Sequence, residues 1–233
     1  MSLGMDVEAL RLAVGVIGSG ASFVLYAAPV LTFKKVVENK SAEGYSCVPY
    51  ILALINTLTY SLYGLPVVSV GWENVPLFAI NAIGVFLETA FILIFLRYSS
   101  PQRRRGGVLF LIPVLAIFAI AASVSLLAFH DHPGRKAMVG TMGIVSTMFT
   151  YASPLVAVKQ VLKTKSSEFM PFSLSLSTFL ASSVWMTYGL LGRDYYVAAP
   201  NILGVPLAFA QLLIYFMYRK KPDESIREPL LLA

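Results

Sequence analysis

Two asparagines, Asn81 and Asn201, stand inside long apolar stretches of the sequence and are the first candidates for chemistry. An unpaired amide costs free energy in an apolar setting, so each should face a partner helix or a watery cavity. Because an amide supplies both donors and acceptors, it suits a ligand that carries neutral hydroxyl groups. The pair therefore predicts a binding site for such a ligand, while hydrogen bonding between packed helices is the structural alternative.

Other reactive side chains are few and scattered. Glu88 lies seven residues beyond Asn81 on the same helical face and is the only candidate proton carrier, although a lone carboxyl group favours a structural role. His130 and His132 fall in one short connection, and we interpret them as solvated loop residues. Cys47 is the single cysteine, and no Cys or His cluster has metal-ligand spacing. We therefore expect no catalytic residue, no metal and no cofactor.

Long apolar stretches must position these residues. The chain of 233 residues is 57% hydrophobic and 13% charged, with a mean hydropathy of +0.74, which is unlike a soluble protein. A helix needs about 20 apolar residues to cross a bilayer. Seven stretches qualify, so we predict an all-α integral membrane protein with seven transmembrane helices. They are Leu12–Phe33, Val48–Val70, Val75–Leu96, Val108–Phe129, Ala137–Leu162, Phe169–Leu191 and Tyr196–Tyr218.

The basic residues fall unequally on the two sets of helix ends. One set carries 14 of the 18 Lys and Arg residues, whereas the other carries only Arg11, Arg135, Lys136 and Arg193. Because cytosolic loops are rich in bases, this asymmetry predicts an external N-terminus and a cytosolic C-terminus. Topology thus accounts for the formal charge of +6, and we expect the lipid bilayer, not nucleic acid, as the partner.

The two halves of the sequence repeat each other. The words Tyr26-Ala27-Ala28-Pro29 and Tyr63-Gly64-Leu65 return 125 residues later as Tyr151-Ala152-Ser153-Pro154 and Tyr188-Gly189-Leu190. The words that begin at Asn81 and Asn201 match at a displacement of 120. Short apolar words also recur by chance, yet ordered matches that include polar residues and prolines indicate duplication.

This repeat predicts a 3+1+3 plan. Three helices per half is an odd number, so helix 4 must cross the membrane once more to leave two parallel three-helix bundles. We divide the chain into a first repeat at 1–98, a basic cytosolic loop with the linker helix at 99–132, a second repeat at 133–218 and a cytosolic tail at 219–233. Transporters commonly hold their substrate near the midplane between such halves.

The displacement of 125 also sets two aromatic residues opposite each other. Tyr60 in helix 2 corresponds to Trp185 in helix 6, so a flat ligand face fits between the two rings. Six further candidates share a helical face with these rings or precede the repeated prolines. They are Asn56, Ala181, Ser22, Leu25, Thr147 and Thr150. Lipid contact, core packing and hydroxyl bonding within one helix are the structural alternatives.

Four prolines interrupt or begin helices 1, 2, 5 and 6, where each removes a donor from the backbone hydrogen-bond ladder. They are Pro29, Pro49, Pro154 and Pro171. We interpret them as hinge candidates, with static kinks as the alternative. Near the outer ends of helices 2 and 6, Tyr63 and Asp194 would close the external mouth by a phenol–carboxylate hydrogen bond. Arg193 offers a neutralising charge to Asp194 instead.

Several longer words make the sequence resemble the plant SWEET family of sugar transporters. They are Ala28-Pro29-Val30-Leu31-Thr32-Phe33, Tyr63-Gly64-Leu65-Pro66, Ile80-Asn81, Glu168-Phe169-Met170-Pro171-Phe172-Ser173-Leu174 and Tyr188-Gly189-Leu190-Leu191-Gly192-Arg193-Asp194. Parallel repeats are themselves a known property of that family. The resemblance implies that Asn81 and Asn201 bind the sugar, that the four prolines support the swing between open states, and that Tyr63 and Asp194 form the outer gate.

The resemblance has further implications and two departures. It implies that the counterpart of Leu25 helps to set sugar size, that the protein forms homo-oligomers, and that it resides in the plasma membrane or the vacuolar membrane. Tyr60 replaces a tryptophan that the family often carries. Some members place a lysine after helix 2, yet none occurs between Tyr63 and Asn81, so the ionic part of the outer gate is missing from its usual place.

Together these observations predict a bidirectional facilitative sugar transporter that works as a uniporter by alternating access. We expect glucose or another monosaccharide as the cargo and the plasma membrane as the location. A sucrose-selective member, a related seven-helix transporter of another small metabolite and a seven-helix receptor are the alternatives. The short loops and the internal repeat argue against a receptor, and the absence of convergent acid, base and nucleophile argues against an enzyme.

Overall fold

The chain folds into helices arranged as seven membrane passes. The computed structural model describes residues 2–167 and 170–219, and within these ranges it contains no strand. The helices are α1 (Ser2–Ala27), α2 (Val30–Glu38), α3 (Val48–Gly64), α4 (Val75–Tyr98), α5 (Pro101–Ala128), α6 (His132–Thr150), α7 (Ala152–Thr164), α8 (Phe172–Leu191) and α9 (Tyr195–Tyr218). Helices α1 and α2 form one pass, and α6 and α7 form another. The predicted seven membrane helices are therefore confirmed.

The passes differ in length. Among the described residues, six are long and apolar enough to span a membrane, and two of these run for 33 residues each. The remaining pass, α3, has 17 residues, which is close to the lower limit for a span. Its predicted end at Val70 was wrong, because the helix stops at Gly64. Leu65 adopts an extended conformation, as the residue before a proline prefers.

Several predicted helix starts also differ from the structure, since α1 begins at Ser2 and not Leu12, and α5 begins at Pro101 and not Val108. Helix α6 begins at His132, five residues before the predicted Ala137, because the Asp131 side chain accepts the Gly134 N–H and caps the helix. His132 thus belongs to a helix and not to a loop. The predicted start of helix 6 at Phe169 lies outside the described residues, and α8 is described from Phe172. The predicted tail is likewise outside them beyond Arg219.

The hinge candidates fall into two kinds of position. Pro29 lies at the break between α1 and α2, and Pro154 lies in the first turn of α7, just after the break at Tyr151. Pro49 occupies the first turn of α3, and Pro171 is the N-cap residue of α8. A proline in the first turn is easily accommodated, because its missing N–H would have no partner there.

The seven passes form two bundles of three plus a linker. The first bundle contains α1/α2, α3 and α4, and the second contains α6/α7, α8 and α9. In each bundle the third pass packs against both of the others, α4 on α1 and α3, and α9 on α6 and α8. Across the interface α1 packs on α8 and α3 packs on α6. The linker α5 lies against α3, α4 and α6.

Glycines permit two close and equivalent crossings between the bundles. A Cβ atom on Gly18 of α1 would lie 3.1 Å from the Trp185 ring on α8, and one on Gly143 of α6 would lie 2.9 Å from the Tyr60 ring on α3. Gly18 and Gly143 are 125 residues apart, as are Tyr60 and Trp185. The duplication found in the sequence is therefore also present in the side-chain packing of the interface.

Candidate functional site

A cavity of about 120 Å³ lies between the two bundles. Seven of the ten predicted pocket residues line it, and five residues that were not predicted complete the wall. The predicted residues are Ser22, Asn56, Tyr60, Asn81, Thr147, Trp185 and Asn201, and the others are Tyr26, Leu77, Ile80, Val197 and Pro200. Helices α1, α3, α4, α6, α8 and α9 all contribute, so each of the two bundles supplies part of the wall.

The two asparagines occupy equivalent places but differ in bonding. Asn81 donates its Nδ2 to the Leu77 carbonyl oxygen at 2.8 Å, and Asn201 donates to the Val197 carbonyl oxygen at the same distance. The Oδ1 atom of Asn81 also accepts the Tyr26 hydroxyl at 3.1 Å. Among the described residues, nothing donates to the Asn201 carbonyl oxygen. Asn201 therefore presents a free acceptor to the cavity, whereas the acceptor of Asn81 is already engaged.

The aromatic pair is held by hydrogen bonds from opposite sides of the interface. Trp185 donates its Nε1 to the Ser22 Oγ at 2.8 Å, which links α8 to α1. Tyr60 donates its hydroxyl to the Tyr196 carbonyl oxygen at 3.3 Å, which links α3 to α9. Both rings are buried, and their polar atoms already have hydrogen-bond partners. This arrangement leaves apolar ring surface available for a flat ligand face.

Asn56 joins the bundles at the other side of the cavity. Its Nδ2 atom donates to the Thr147 Oγ1 at 2.8 Å and to the Ser146 Oγ at 3.0 Å, so α3 is tied to α6. The carbonyl oxygen of the same amide has no donor among the described residues. Asn56 thus adds a second free acceptor, and both Asn56 and Asn201 line the same cavity.

Three predicted pocket residues lie outside this cavity. Ala181 is buried in the apolar core that surrounds Trp185. Thr150 donates its hydroxyl to the Thr147 carbonyl oxygen at 2.7 Å, the bonding within one helix that was its structural alternative. Leu25 lines a second, larger cavity of about 790 Å³ between α1/α2 and α8. Hinge candidates Pro29 and Pro171 line that second cavity as well.

A buried polar network closes one end of the interface between the two bundles, and we name this the Tyr63 end. The Tyr63 hydroxyl donates to the Asp194 Oδ1 at 2.6 Å, and Asn74 donates its Nδ2 to the Asp194 Oδ2 at 3.3 Å. Tyr63 is fully buried and Asp194 is only 4% exposed. The structure therefore contains the phenol–carboxylate hydrogen bond that was predicted between helices 2 and 6.

The cation beside Asp194 comes from an unpredicted position. Lys136 in the first turns of α6 places its Nζ 3.3 Å from the Asp194 Oδ2. Within the described ranges Arg193 forms no ion pair with its neighbour, contrary to the alternative raised from the sequence. The missing lysine of helix 2 is thus replaced by one from the second bundle. The sequence interpretation counted Lys136 only as a base at an outer helix end and assigned it no partner.

Tyr26 and Tyr151 are the clearest omissions from the sequence interpretation. Both open the repeated words, so their pairing was visible, yet neither was assigned to the site. Tyr26 donates to Asn81, and Tyr151 donates its hydroxyl to the Pro200 carbonyl oxygen at 2.7 Å. Each tyrosine therefore braces the helix that carries an asparagine. The occurrence of tyrosine at both position 26 and position 151, 125 residues apart, was the signal that could have identified them.

Glu88 stands apart from both cavities. It is 4% exposed on α4, and its Oε2 atom has no hydrogen-bond partner among the described residues. It appears in the lining of neither the central cavity nor the larger one. Within residues 2–167 and 170–219, no three side chains of His, Cys, Asp and Glu lie together as a metal site would require.

The chain is similar in sequence to known sugar transporters. A family described as "Sugar efflux transporter for intercellular exchange" matches residues 12–103 and, a second time, residues 137–223. The two matched segments correspond to the two bundles. The curated relatives include bidirectional sugar transporter SWEET3b of Oryza sativa subsp. japonica, which is 51% identical over 95% of this chain and 88% of its own length.

A second curated relative and a solved structure also match the chain. Bidirectional sugar transporter SWEET3 of Arabidopsis thaliana is 48% identical over 93% of this chain and 82% of its own length. Among solved structures, the 3.7 Å resolution structure of a eukaryotic SWEET transporter superposes with a TM-score of 0.85 at 37% identity. That superposition covers 91% of this chain and 98% of the solved chain.

Proposed function

Because the chain belongs to the MtN3/SWEET family of sugar transporters, we propose that it is a bidirectional facilitative uniporter for glucose or another monosaccharide. Two of its relatives carry the description of bidirectional sugar transporter. The observation that carries the proposal is the central cavity between two pseudo-equivalent bundles, with one asparagine from each bundle on its wall. Such a site is accessible in turn from either side when the bundles rock against each other.

The distribution of space supports alternating access. At the Tyr63 end, buried side chains bond across the interface and close it. Toward the other end, a cavity of about 790 Å³ lies between α1/α2 and α8. The protein is thus closed at one end of the interface, and we assign the Tyr63 end to the outside because it carries the smaller share of basic residues.

The polar side chains that line the central cavity suit a weakly bound sugar. Free acceptors on Asn201 and Asn56, together with the second Nδ2 hydrogen of Asn81, offer a few hydrogen bonds of about 0.5–1.5 kcal/mol each. A uniporter must release its cargo, and a millimolar dissociation constant corresponds to only about −4 kcal/mol. A few such bonds and contact with the faces of Tyr60 and Trp185 suffice. The small central volume favours one sugar ring over the two of sucrose.

Uniport is favoured over proton coupling by the position of Glu88. It is the one acidic side chain well inside a described membrane span, and it lines neither cavity. A proton carrier has to exchange protons with a water-filled path. We therefore assign Glu88 a structural role on α4.

The proposal also covers the membrane, the orientation and the oligomeric state of the protein. We place it in the plasma membrane, with the vacuolar membrane as the alternative, and orient the N-terminus outward and the C-terminus to the cytosol. Large apolar side chains are exposed along the linker α5, including Ile112, Ile117, Ile120 and Leu127. This face suits either lipid or a second copy of the chain. A homo-oligomer is accordingly part of the proposal.

Flux through proteoliposomes tests the function. We expect labelled glucose to equilibrate in both directions without a proton gradient, and the double variant Asn81→Ala, Asn201→Ala to abolish that flux while it remains folded. The control is Asn39→Ala, whose side chain lies at the end of α2 outside both cavities. Flux of sucrose in place of glucose would overturn the monosaccharide assignment, and no flux of glucose, fructose or sucrose would overturn sugar transport.

A further inference from the structure

The closed Tyr63 end contains two triads of side chains, of which the sequence pointed to only part of one. In the first triad Lys136 lies 3.3 Å from Asp194, Asp194 accepts the Tyr63 hydroxyl, and the Lys136 Nζ stands 5.7 Å from the centre of the Tyr63 ring. The cation and the carboxylate belong to the second bundle. The tyrosine belongs to the first bundle and donates across the interface.

The second triad has the same form with the bundles exchanged. Arg11 donates its Nη2 to the Asn74 Oδ1 at 2.8 Å. The Tyr188 hydroxyl lies within donating distance of the same oxygen, at 3.1 Å, and of the Glu73 carbonyl oxygen, at 3.0 Å, and both acceptors belong to the first bundle. The Arg11 guanidinium lies over the Tyr188 ring at 4.5 Å from its centre. Here the cation and the amide belong to the first bundle, and the tyrosine donates from the second.

The internal repeat relates the two triads residue by residue. Arg11 corresponds to Lys136, and Tyr63 corresponds to Tyr188, both at the displacement of 125. Asn74 corresponds to Asp194 at the displacement of 120. These are the displacements that relate the rest of the two halves, so the six residues form one pseudo-twofold arrangement.

The two triads meet in one buried hydrogen bond. Asn74 donates its Nδ2 to the Asp194 Oδ2 at 3.3 Å, while its Oδ1 accepts from the second triad. Asn74 and Tyr188 are fully buried, like Tyr63. Asn74 thus donates to the carboxylate that accepts Tyr63 and itself accepts from Tyr188, and a buried acceptor without a donor is unfavourable.

We propose that Arg11, Asn74 and Tyr188 form a second outer gate, which must open together with the gate of Tyr63 and Asp194 before sugar can enter or leave at the Tyr63 end. The inference rests on the proposed function for its direction and purpose. Each gate fastens one bundle to the other by a tyrosine hydroxyl, so both bonds break in any separation of the bundles at this end. Opening is consequently a single event, not two independent ones.

The distance between the bundles measures gate opening without any transport. Spin labels at Val70→Cys and Leu190→Cys would report it, since both positions are exposed near the Tyr63 end, one in each bundle. Cys47 is buried and is replaced by Ala in this background. Double electron–electron resonance in liposomes without sugar then gives the populations of a short, closed distance and a longer, open one. The readout does not depend on which face of the liposome the protein presents.

Removing one hydroxyl should weaken the closed state by one hydrogen bond. We expect Tyr188→Phe to raise the ratio of open to closed populations roughly two- to tenfold, as Tyr63→Phe does. Because both tyrosines belong to one hydrogen-bond network, the double variant should raise the ratio above that of either single variant, by a factor that departs from the simple product. The matched control is Tyr195→Phe, a 69% exposed tyrosine at the same end that should leave the ratio unchanged.

Several results would overturn the second gate. The proposal fails if Tyr188→Phe leaves the ratio unchanged both alone and when added to Tyr63→Phe, or if Tyr195→Phe raises it equally. Should Tyr188→Phe not fold, Arg11→Met removes the cation of the same triad and must raise the ratio in its place. Failure of wild-type sugar flux would instead overturn the proposed function, because the distance measurement needs no sugar.

Discussion

The Lys136 Nζ lies 2.9 Å from the Glu73 Oε1, in addition to its ion pair with Asp194. Glu73 ends the connection between α3 and α4, so this contact joins the first bundle to α6 of the second. The same Oε1 atom accepts the Val70 N–H at 3.0 Å, which fixes the carboxylate in place. One lysine therefore serves an acid in each bundle at the Tyr63 end.

We predict that Glu73→Gln lowers the salt sensitivity of this closure. The Lys136–Glu73 pair is partly exposed, at 21% and 30%, so added salt screens it, whereas the Asp194 side chain is only 2% exposed. In the wild type, the open population measured between labels at positions 70 and 190 should rise modestly from low to high salt, since such a pair is worth about 0.2–1 kcal/mol. In Glu73→Gln that rise should shrink.

The control for this prediction is Glu38→Gln. Glu38 forms an exposed ion pair with Lys34 at 3.8 Å on α2, away from the Tyr63 end. Its removal should leave the salt response of the labels at wild-type size. An equal loss of salt response in both variants would contradict a specific contribution of Glu73.

The two asparagines should differ in their variants. Asn201→Ala removes a free acceptor and should weaken glucose binding roughly two- to tenfold with little change in thermal stability. Asn81→Ala should weaken binding to a similar degree but also lower stability by about 1–3 kcal/mol, because the Tyr26 hydroxyl loses its acceptor. Isothermal titration with glucose and thermal unfolding in detergent separate the effects. Equal stability losses in the two variants would contradict the asymmetry.

The glycine crossing predicts a steric effect. Gly143→Ala places a methyl group 2.9 Å from the Tyr60 ring, so the α3–α6 contact must shift, and we expect a loss of about 1–3 kcal/mol in unfolding free energy together with reduced flux. Gly20→Ala is the matched control, because no atom lies within 4 Å of its added Cβ. It should be neutral or stabilising, since alanine favours a helix by about 0.8–1.0 kcal/mol.

Glu88→Gln tests the absence of proton coupling. The substitution keeps the shape of the side chain and removes its ability to carry a proton. We expect glucose flux in proteoliposomes to remain near the wild-type rate, and an imposed proton gradient to have no effect on the final distribution of glucose in either protein. Accumulation of glucose above equilibrium in the wild type, lost in Glu88→Gln, would show instead that Glu88 couples protons to transport.

The sequence predicted well what depends on hydrophobicity and on duplication. The seven passes, the 3+1+3 plan and the meeting of Asn81 with Asn201 at one cavity follow from where apolar residues occur and from the two displacements. The end of α3 was misplaced by six residues, because apolar residues continue past Gly64 and Pro66 was given too little weight. Hydropathy alone does not register the extended conformation that a proline imposes on the residue before it.

The contacts of the gate residues could not be predicted from the sequence, for a different reason. Arg11 and Lys136 were counted only as bases at outer helix ends, and that count says nothing about their contacts. Their partners Asn74 and Asp194 precede the third pass of each bundle, more than fifty residues along the chain. Pairs at such separation become neighbours only through packing of the bundles. Applying the displacements to the polar residues would have found the symmetry, though not the distances.

The glycine crossings have a mechanical consequence. Gly18 beneath Trp185 and Gly143 beneath Tyr60 bring the bundles into close contact at the depth of the central cavity, whose wall includes both rings. A rigid rotation displaces each atom in proportion to its distance from the axis. With the pivot at this depth, a turn of about 10° shifts a helix end about 15 Å away by about 2.6 Å and scarcely moves the cavity wall. A cargo held there would stay almost stationary while the openings on either side of it exchange.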